Sequence, residues 1–309
     1  MKKFLSFLAL ALCFVACQNE PEVNVSNSDL VDVVLNIEAP ELGITRAGAD
    51  GQVDDLKNAK NSAYGAIDYA DAAFWAQNDL RYILEVYSAE DDGKGENIAR
   101  ERLYSFKDEY APTEFKVRLV PNRTYKFVVW ADFVLHTTAA DGDFDNDDLY
   151  YDTADLRAIS AITTGDWNAM NEARDAYFVS QNLDIKKDVA QNLTLKRPLA
   201  KIRVVTTDKE HWSKYSKPSR VEVKYYESEL SNVFNAVNGQ IDTAQPLQKL
   251  TYDVVYADAE SQYNETGAHK TLFADYLFVK PAADGQTPIH FTMDVYEGDN
   301  HDVLVRSND

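Results

Sequence analysis

Alternation is the first order visible in this chain. From Leu30 to Ile37 the residues run Leu-Val-Asp-Val-Val-Leu-Asn-Ile, with Val31, Val33, Leu35 and Ile37 on one side and Asp32, Val34 and Asn36 on the other. A period of two marks a strand with one buried face. The pattern recurs where Leu80, Tyr82, Leu84 and Val86 alternate with Arg81, Ile83, Glu85 and Tyr87, and where Phe115, Val117 and Leu119 alternate with Lys116 and Arg118. Each of these segments predicts a strand with one core face. Arg123 to Leu135 is aromatic and β-branched enough for a central strand. Further strands are predicted over 176–179, 192–196, 200–206, 220–226, 250–256, 270–279, 287–296 and 303–306, and a minor helix over 55–75, where Ala is frequent. Many short strands parted by turn signals favour packed antiparallel sheets over a parallel α/β layout. The predicted class is all-β.

A boundary is predicted near Arg197-Pro198. Leu193 and Leu195 end one alternating run, Pro198 lacks the N–H a ladder needs, and Ile202 and Val204 begin another. The chain then divides into two β-sandwiches of ordinary domain size, residues 47–197 and 198–309. No internal repeat relates them.

The N-terminus reads as a processing segment. Lys2 and Lys3 precede an apolar run from Phe4 to Val15, then Ala16 and Cys17, which is the layout of a signal peptide over residues 1–16. The run is too short to span a membrane. Phe14-Val15-Ala16-Cys17 resembles a bacterial lipobox, whose cysteine is acylated and becomes the new N-terminus. Cys13 leaves with the signal, so the mature chain carries no disulfide and relies on core burial. Glu20 and Glu22 resemble the signal that sends Bacteroidetes lipoproteins to the outer face of the outer membrane. Residues 17–46 form a tether or propeptide that includes the strand at 30–37. Nine residues beyond Ile37 stands Arg46, in the small-residue run Gly-Ile-Thr-Arg-Ala-Gly-Ala-Asp, the kind of stretch proteases cut. Two readings stay open: the strand simply leads into a loop, or a cut between Arg46 and Ala47 releases lipid and strand together.

Charge removes one class of partner. Lys plus Arg number 31 against 51 Asp plus Glu, a net charge of −20 with no basic stripe, so the surface repels phosphate backbones and nucleic acid is excluded. The search for chemistry is mostly negative: no nucleophile elbow, zinc-protease helix motif or phosphate loop occurs, and no cysteine lies downstream of Cys17. His136, His211, His269, His290 and His301 show no ligand spacing. No catalytic residue and no cofactor is expected, and an enzymatic role, such as action on carbohydrate, is the least favoured class. One acidic run, Asp141, Asp143, Asp145, Asp147 and Asp152, has calcium-loop spacing, but Asn146 stands where the turn wants Gly and Asp152 replaces the bidentate Glu. The plainer reading is a solvated acidic loop with no metal. Two Asp-Thr-Ala triplets make Thr153 and Thr243 candidates for O-glycosylation.

The combination resembles the fimbrillins of Bacteroidales type V pili and their Mfa-like lipoprotein relatives. It rests on the lipobox at Cys17, the short strand, the Thr45-Arg46-Ala47 junction, and two all-β halves. It extends to Val-Pro-Asn-Arg-Thr-Tyr-Lys-Phe-Val-Val-Trp-Ala-Asp at 120–132, Leu-Lys-Arg-Pro-Leu-Ala-Lys-Ile-Arg-Val at 195–204, Phe234-Asn235 before Gly239, and Phe-Ala-Asp-Tyr-Leu-Phe at 273–278. What the resemblance implies is a pair of transthyretin-like sandwiches and a subunit that serves adhesion. Its first strand, through Val31, Val33, Leu35 and Ile37, fills a groove until an Arg-specific protease cuts after Arg46. Other fimbrial subunits are the implied partners, one of them supplying a replacement strand, and the outer membrane is held through the lipid on Cys17 before processing. One departure qualifies this: family members continue past a segment like Val303 to Arg306 into a further strand, whereas this chain stops at Asp309. The expectation is either a truncated sequence or a tip or other accessory subunit without a donor strand. A surface lipoprotein adhesin or glycan-binding protein that is never cut is the alternative.

Overall fold

The structure is a computed structural model and describes residues 30–39, 72–89, 101–109, 111–136, 148–162, 171–206, 219–225, 230–242, 251–255, 270–279, 290–297 and 303–308. The strands before Arg197 are β1 (Val31–Ile37), β2 (Asn78–Ser88), β3 (Glu101–Lys107), β4 (Thr113–Leu119), β5 (Arg123–Leu135), β6 (Tyr151–Asp152), β7 (Ile159–Ala161), β8 (Ala176–Ile185) and β9 (Val189–Leu193). After it come β10 (Ala200–Thr206), β11 (Arg220–Tyr225), β12 (Leu230–Ser231), β13 (Val233–Asn235), β14 (Gln240–Ile241), β15 (Thr251–Val255), β16 (Lys270–Val279), β17 (Phe291–Glu297) and β18 (Val303–Asn308). The all-β expectation is borne out. Of the predicted helix, a single turn at Ala72–Trp75 is described, and the rest of 55–75 lies outside the described residues.

The central element is the sheet β3-β2-β5-β8. Its two long strands, β2 and β5, are antiparallel and in register from Asn78 opposite Leu135 to Ser88 opposite Tyr125. On one face, Leu80, Tyr82, Leu84 and Val86 of β2 and Phe127 and Val129 of β5 pack against the sheet β4-β1-β9. Phe74 and Trp75 of the helical turn close the end of this core, their rings 5.2 and 6.0 Å from Phe133.

The other face is buried as well, which the sequence pattern did not foresee. Every residue of β2 between its two ends is buried. Ile83, Tyr87, Val128 and Trp130 form a second core with Tyr151, Ile159, Phe234 and Phe278. Arg81 and Glu85 of β2 also point to this face, and each has a partner, as desolvated ions require. Arg81 Nε and Nη2 donate to the two carboxylate oxygens of Asp132 at 2.9 and 2.7 Å, and Nη2 also donates to Asp148 at 2.9 Å. Burial pushes the Asp132 carboxyl upward while Arg81 pulls it down. Glu85 accepts from Arg102 Nη1 at 2.6 Å and from the Tyr87 hydroxyl.

This second core crosses the predicted boundary. Phe178 and Lys196 exchange two main-chain hydrogen bonds of 2.8 Å just before Pro198. Beyond that point the chain returns to the first half: β13 pairs with β7, Phe234 opposite Ile159, in the sheet β14-β13-β7-β6. Phe234 stacks on Phe278 at 5.6 Å and meets Phe178 edge-on at 4.7 Å. Gly239, at φ +70°, turns β13 into β14, and a Cβ there would come within 3.3 Å of Phe178. Charged pairs line the same junction. Arg197 Nε donates to Asp175 at 2.7 Å, and Lys201 Nζ donates to Glu172 at 2.7 and 2.8 Å. The Tyr276 hydroxyl also donates to Glu172.

A third core lies between β10-β16-β12 and β15-β11-β17-β18, where Val221, Val223, Phe273, Leu277 and Val295 meet. β16 serves both sides: Phe273 and Leu277 enter this core, while Tyr276 and Phe278 enter the second.

A shared core couples the two halves. Phe234→Ala removes a buried ring touching Trp130, Phe178 and Phe278, and is expected to cost about 3–5 kcal/mol. Urea unfolding followed by amide exchange at Val129 and at Val223 should show both sites losing stability together; a loss confined to one of them would contradict the shared core.

Candidate functional site

The sheet β4-β1-β9 holds the feature with the clearest functional geometry. β1 is its middle strand, and β4 and β9 do not pair with each other. On one side β1 is antiparallel to β4 over its whole length, from Val31 opposite Leu119 to Ile37 opposite Thr113. On the other side it runs parallel to β9, from Val33 opposite Val189 to Ile37 opposite Leu193. Among the described pairings this is the one parallel ladder. Parallel neighbours need a long connection, and here the intervening chain is the whole of the first half.

Side chains divide as the alternation dictates. Val33, Leu35 and Ile37 are each 0% exposed, and Val31 is half-buried at the strand's start. They face Phe115, Val117, Leu119 and Leu193 from their own sheet and Leu80, Tyr82 and Leu84 from the central one. Fully burying such side chains contributes about 1.5–3 kcal/mol each, hence about 5–9 kcal/mol for the three, an upper value relative to an extended unfolded chain.

The outward face is polar. Arg118 Nε lies 3.4 Å from Asp32 Oδ1, and Asn36 Nδ2 donates to Asn192 Oδ1 at 3.0 Å. Lys116, fully exposed, bonds Glu114 at 2.9 Å, which holds its ammonium above the ordinary lysine range. Contacts beyond the ladder fasten both ends of β1. The Asp32 N–H donates to Asp188 Oδ1 at 3.0 Å, and the Glu38 N–H donates to the Leu193 carbonyl at 3.1 Å.

Removing β1 would therefore strip two strands of a ladder partner and open an apolar slot over Leu80, Tyr82 and Leu84. Unpaired edges and open slots of this kind invite another strand.

The remaining candidate residues are placed unevenly. Cys17, Arg46, Ala47, Thr243, Asp141, Asp143, Asp145 and Asp147 lie outside the described residues, as do His211, His269 and His301. Asp152 uses Oδ1 to accept the Ala154 N–H at 3.1 Å. Thr153 is 2% exposed, and its hydroxyl donates to Asp148 Oδ1 at 2.8 Å. That burial argues against a glycan on Thr153 in the folded chain, because the hydroxyl faces a carboxylate instead of solvent. His136 Nδ1 lies 2.7 Å from Asp79 Oδ1, as part of a structural pair at the end of β5. Sequence reasoning missed Asp188, Asn192 and Thr194, which touch β1 or the residue just after it, Glu38, from 156 positions away. No local signal could have found them, since the parallel ladder that brings them in is set by tertiary packing.

Residues 26–308 match a family of unknown function, DUF6562. No curated protein matches the chain. Among solved structures, the fimbrial anchor protein Mfa2 from Porphyromonas gingivalis is similar at 10% identity and a TM-score of 0.42, over 91% of this chain and 82% of that one. A candidate adhesin from Bacteroides ovatus is similar at 13% identity and a TM-score of 0.40, over 90% and 81%. A candidate polysaccharide-binding protein from Bacteroides thetaiotaomicron shows 9% identity and a TM-score of 0.39, over 90% and 79%. At these TM-scores none of them assigns a function to this chain.

The two faces of β1 should respond differently to substitution. Leu35→Ala is expected to destabilise the chain by about 2–5 kcal/mol. Asp32→Ala, which touches only the exposed pair with Arg118, should change stability by about 1 kcal/mol or less. Equal midpoints in urea for these two variants would contradict the groove described above.

Proposed function

The chain belongs to DUF6562, a family of unknown function, and from the geometry of its first strand we propose that it is a structural or accessory subunit of a type V fimbrium. In this reading it is exported as a lipoprotein acylated at Cys17, reaches the outer face of the outer membrane, and is cut after Arg46 by an Arg-specific protease. A strand from another fimbrial subunit then replaces β1, and the assembled fimbrium serves adhesion.

The observation that carries the reading is the position of β1. It is the only link between two strands that otherwise have no partner in their sheet among the described residues, and the candidate cut at Arg46 lies nine residues past its end. A cut there would leave β1 held by hydrogen bonds and apolar contacts alone. Those contacts are strong, so β1 would not simply fall out. A competing strand can replace them step by step, trading one ladder for an equivalent one. Such an exchange needs no nucleotide, since the burial and main-chain pairing lost with β1 are regained with the incoming strand.

A second reading is favoured by the same strand seen the other way. Uncut, β1 is paired on both sides and three of its side chains are fully buried. A complete sheet is suited to an anchored surface adhesin, or a glycan-binding protein, that keeps its N-terminus and its lipid.

Mass spectrometry of the protein from the native envelope separates the two readings. The fimbrial reading expects a mature start at Ala47, and an acylated start at Cys17 would instead support the retained anchor. Arg46→Ala is expected to abolish SDS-resistant ladders; ladders that persist in this variant would sink the cleavage step.

A further inference from the structure

The contacts on β1 are of two kinds. Some read side chains: Arg118 meets Asp32, Asn192 meets Asn36, and Thr194 Oγ1 donates to Glu38 Oε2 at 2.7 Å. A replacement strand of different sequence would lose all three. Others read only the main chain, and these survive any change of sequence except to proline. Besides the two ladders, one is the ordinary bond from the Glu38 N–H to the Leu193 carbonyl. The other is unusual, because the acceptor of the Asp32 N–H is a side chain, Asp188 Oδ1.

Asp188 stands immediately before β9, where the parallel ladder begins with Val33 opposite Val189. Its carboxylate extends the acceptor edge of β9 by one position. A carboxylate that accepts a main-chain N–H forms a charge-assisted bond, stronger than a neutral one. Asp188 also lies in the short connection that follows β8, which is hydrogen-bonded along β5 in the central sheet. One side of this connection is therefore anchored by β8 in the central sheet, independently of β1.

We propose that Asp188 is a positioning residue for whatever strand occupies this groove. It takes the main-chain N–H one residue ahead of the parallel ladder and thereby anchors the start of the strand, while the alternate apolar side chains select the register. Register is decisive here because a slip of one residue would turn Val33, Leu35 and Ile37 toward solvent. The occupant that fits is an extended segment with apolar residues at alternate positions and a residue other than proline at the place of Asp32, since proline has no N–H to give. This proposal deepens the strand-exchange reading above and rests on it for any strand other than β1.

Two measurements test it. In the uncut chain, Asp188→Ala should speed amide hydrogen exchange at Asp32 about threefold to tenfold and leave Val34 unchanged, whereas Asp188→Asn, which keeps an oxygen acceptor without its charge, should fall between the alanine variant and the parent. Unaltered exchange at Asp32 in the alanine variant would overturn the proposal. The second measurement uses the full chain cut after Arg46, refolded with a fluorescent peptide of residues 30–39 as competitor. Replacing the Asp32 amide of the peptide by an ester removes the donor. It should weaken capture about threefold to tenfold in the parent protein but not in Asp188→Ala. An ester penalty equally large in both proteins would also overturn the proposal. If no peptide enters even the parent, it is the strand-exchange reading that fails, and hydrogen exchange at Asp32 then decides whether Asp188 positions β1.

Discussion

A sheet that carries apolar side chains on both faces has to be covered twice, and β3-β2-β5-β8 is such a sheet. Its first cover is β4-β1-β9. Its second is assembled from short strands on both sides of Arg197 together with aromatic residues of β16. Exposing either face would return a large apolar area to water at roughly 25 cal/mol per Å². The position of the two covering layers follows from this demand. β1 is held where it is because it completes one cover, and the second half of the chain is tied to the first because it completes the other.

The same demand explains the buried charges. Arg81 and Glu85 occupy the inner face of a strand whose neighbours are apolar, and they remain because Asp132, Asp148, Arg102 and Tyr87 satisfy them. At the junction of the halves, Asp175 with Arg197 and Glu172 with Lys201 do the same. Burial drives the Asp175 carboxyl up while Arg197 opposes it. Such pairs add little net stability compared with apolar packing. Breaking one leaves an uncompensated charge, so they penalise alternative arrangements of the layers.

The groove's chemistry also suits a chain without disulfides after Cys17. With no covalent staple, the first cover depends on a strand that is continuous with the chain only through residues that include Arg46. The proposed fimbrial role and the proposed grip of Asp188 share one physical basis. Main-chain hydrogen bonds are indifferent to sequence, while alternate apolar side chains are selective for register. A groove that uses both can accept a different strand and still hold it in one alignment.

The sequence alone determined the elements whose pattern is local. β5 at Arg123–Leu135, β10 at Ala200–Thr206 and β16 at Lys270–Val279 coincide with the strands read from composition and alternation, and so does the inward set Val33, Leu35 and Ile37. β3, whose residues alternate less cleanly, and the short strands β6, β7 and β12 to β14 were not legible, because two or three residues carry no period. Three further facts belong to the tertiary structure. A period of two shows that one face of β2 is apolar, but it cannot reveal a second layer lying over Arg81 and Glu85. The Asp-Thr-Ala triplet marks Thr153 as a glycosylation candidate, and only the fold shows its hydroxyl buried and bonded to Asp148. The neighbours of β1 are invisible in the chain order, since Val189 to Leu193 reach it through packing on the sheet that β2, β5 and β8 build. Alternation is written into consecutive residues; partnership across some 156 positions is decided only when apolar faces on distant segments find a common core.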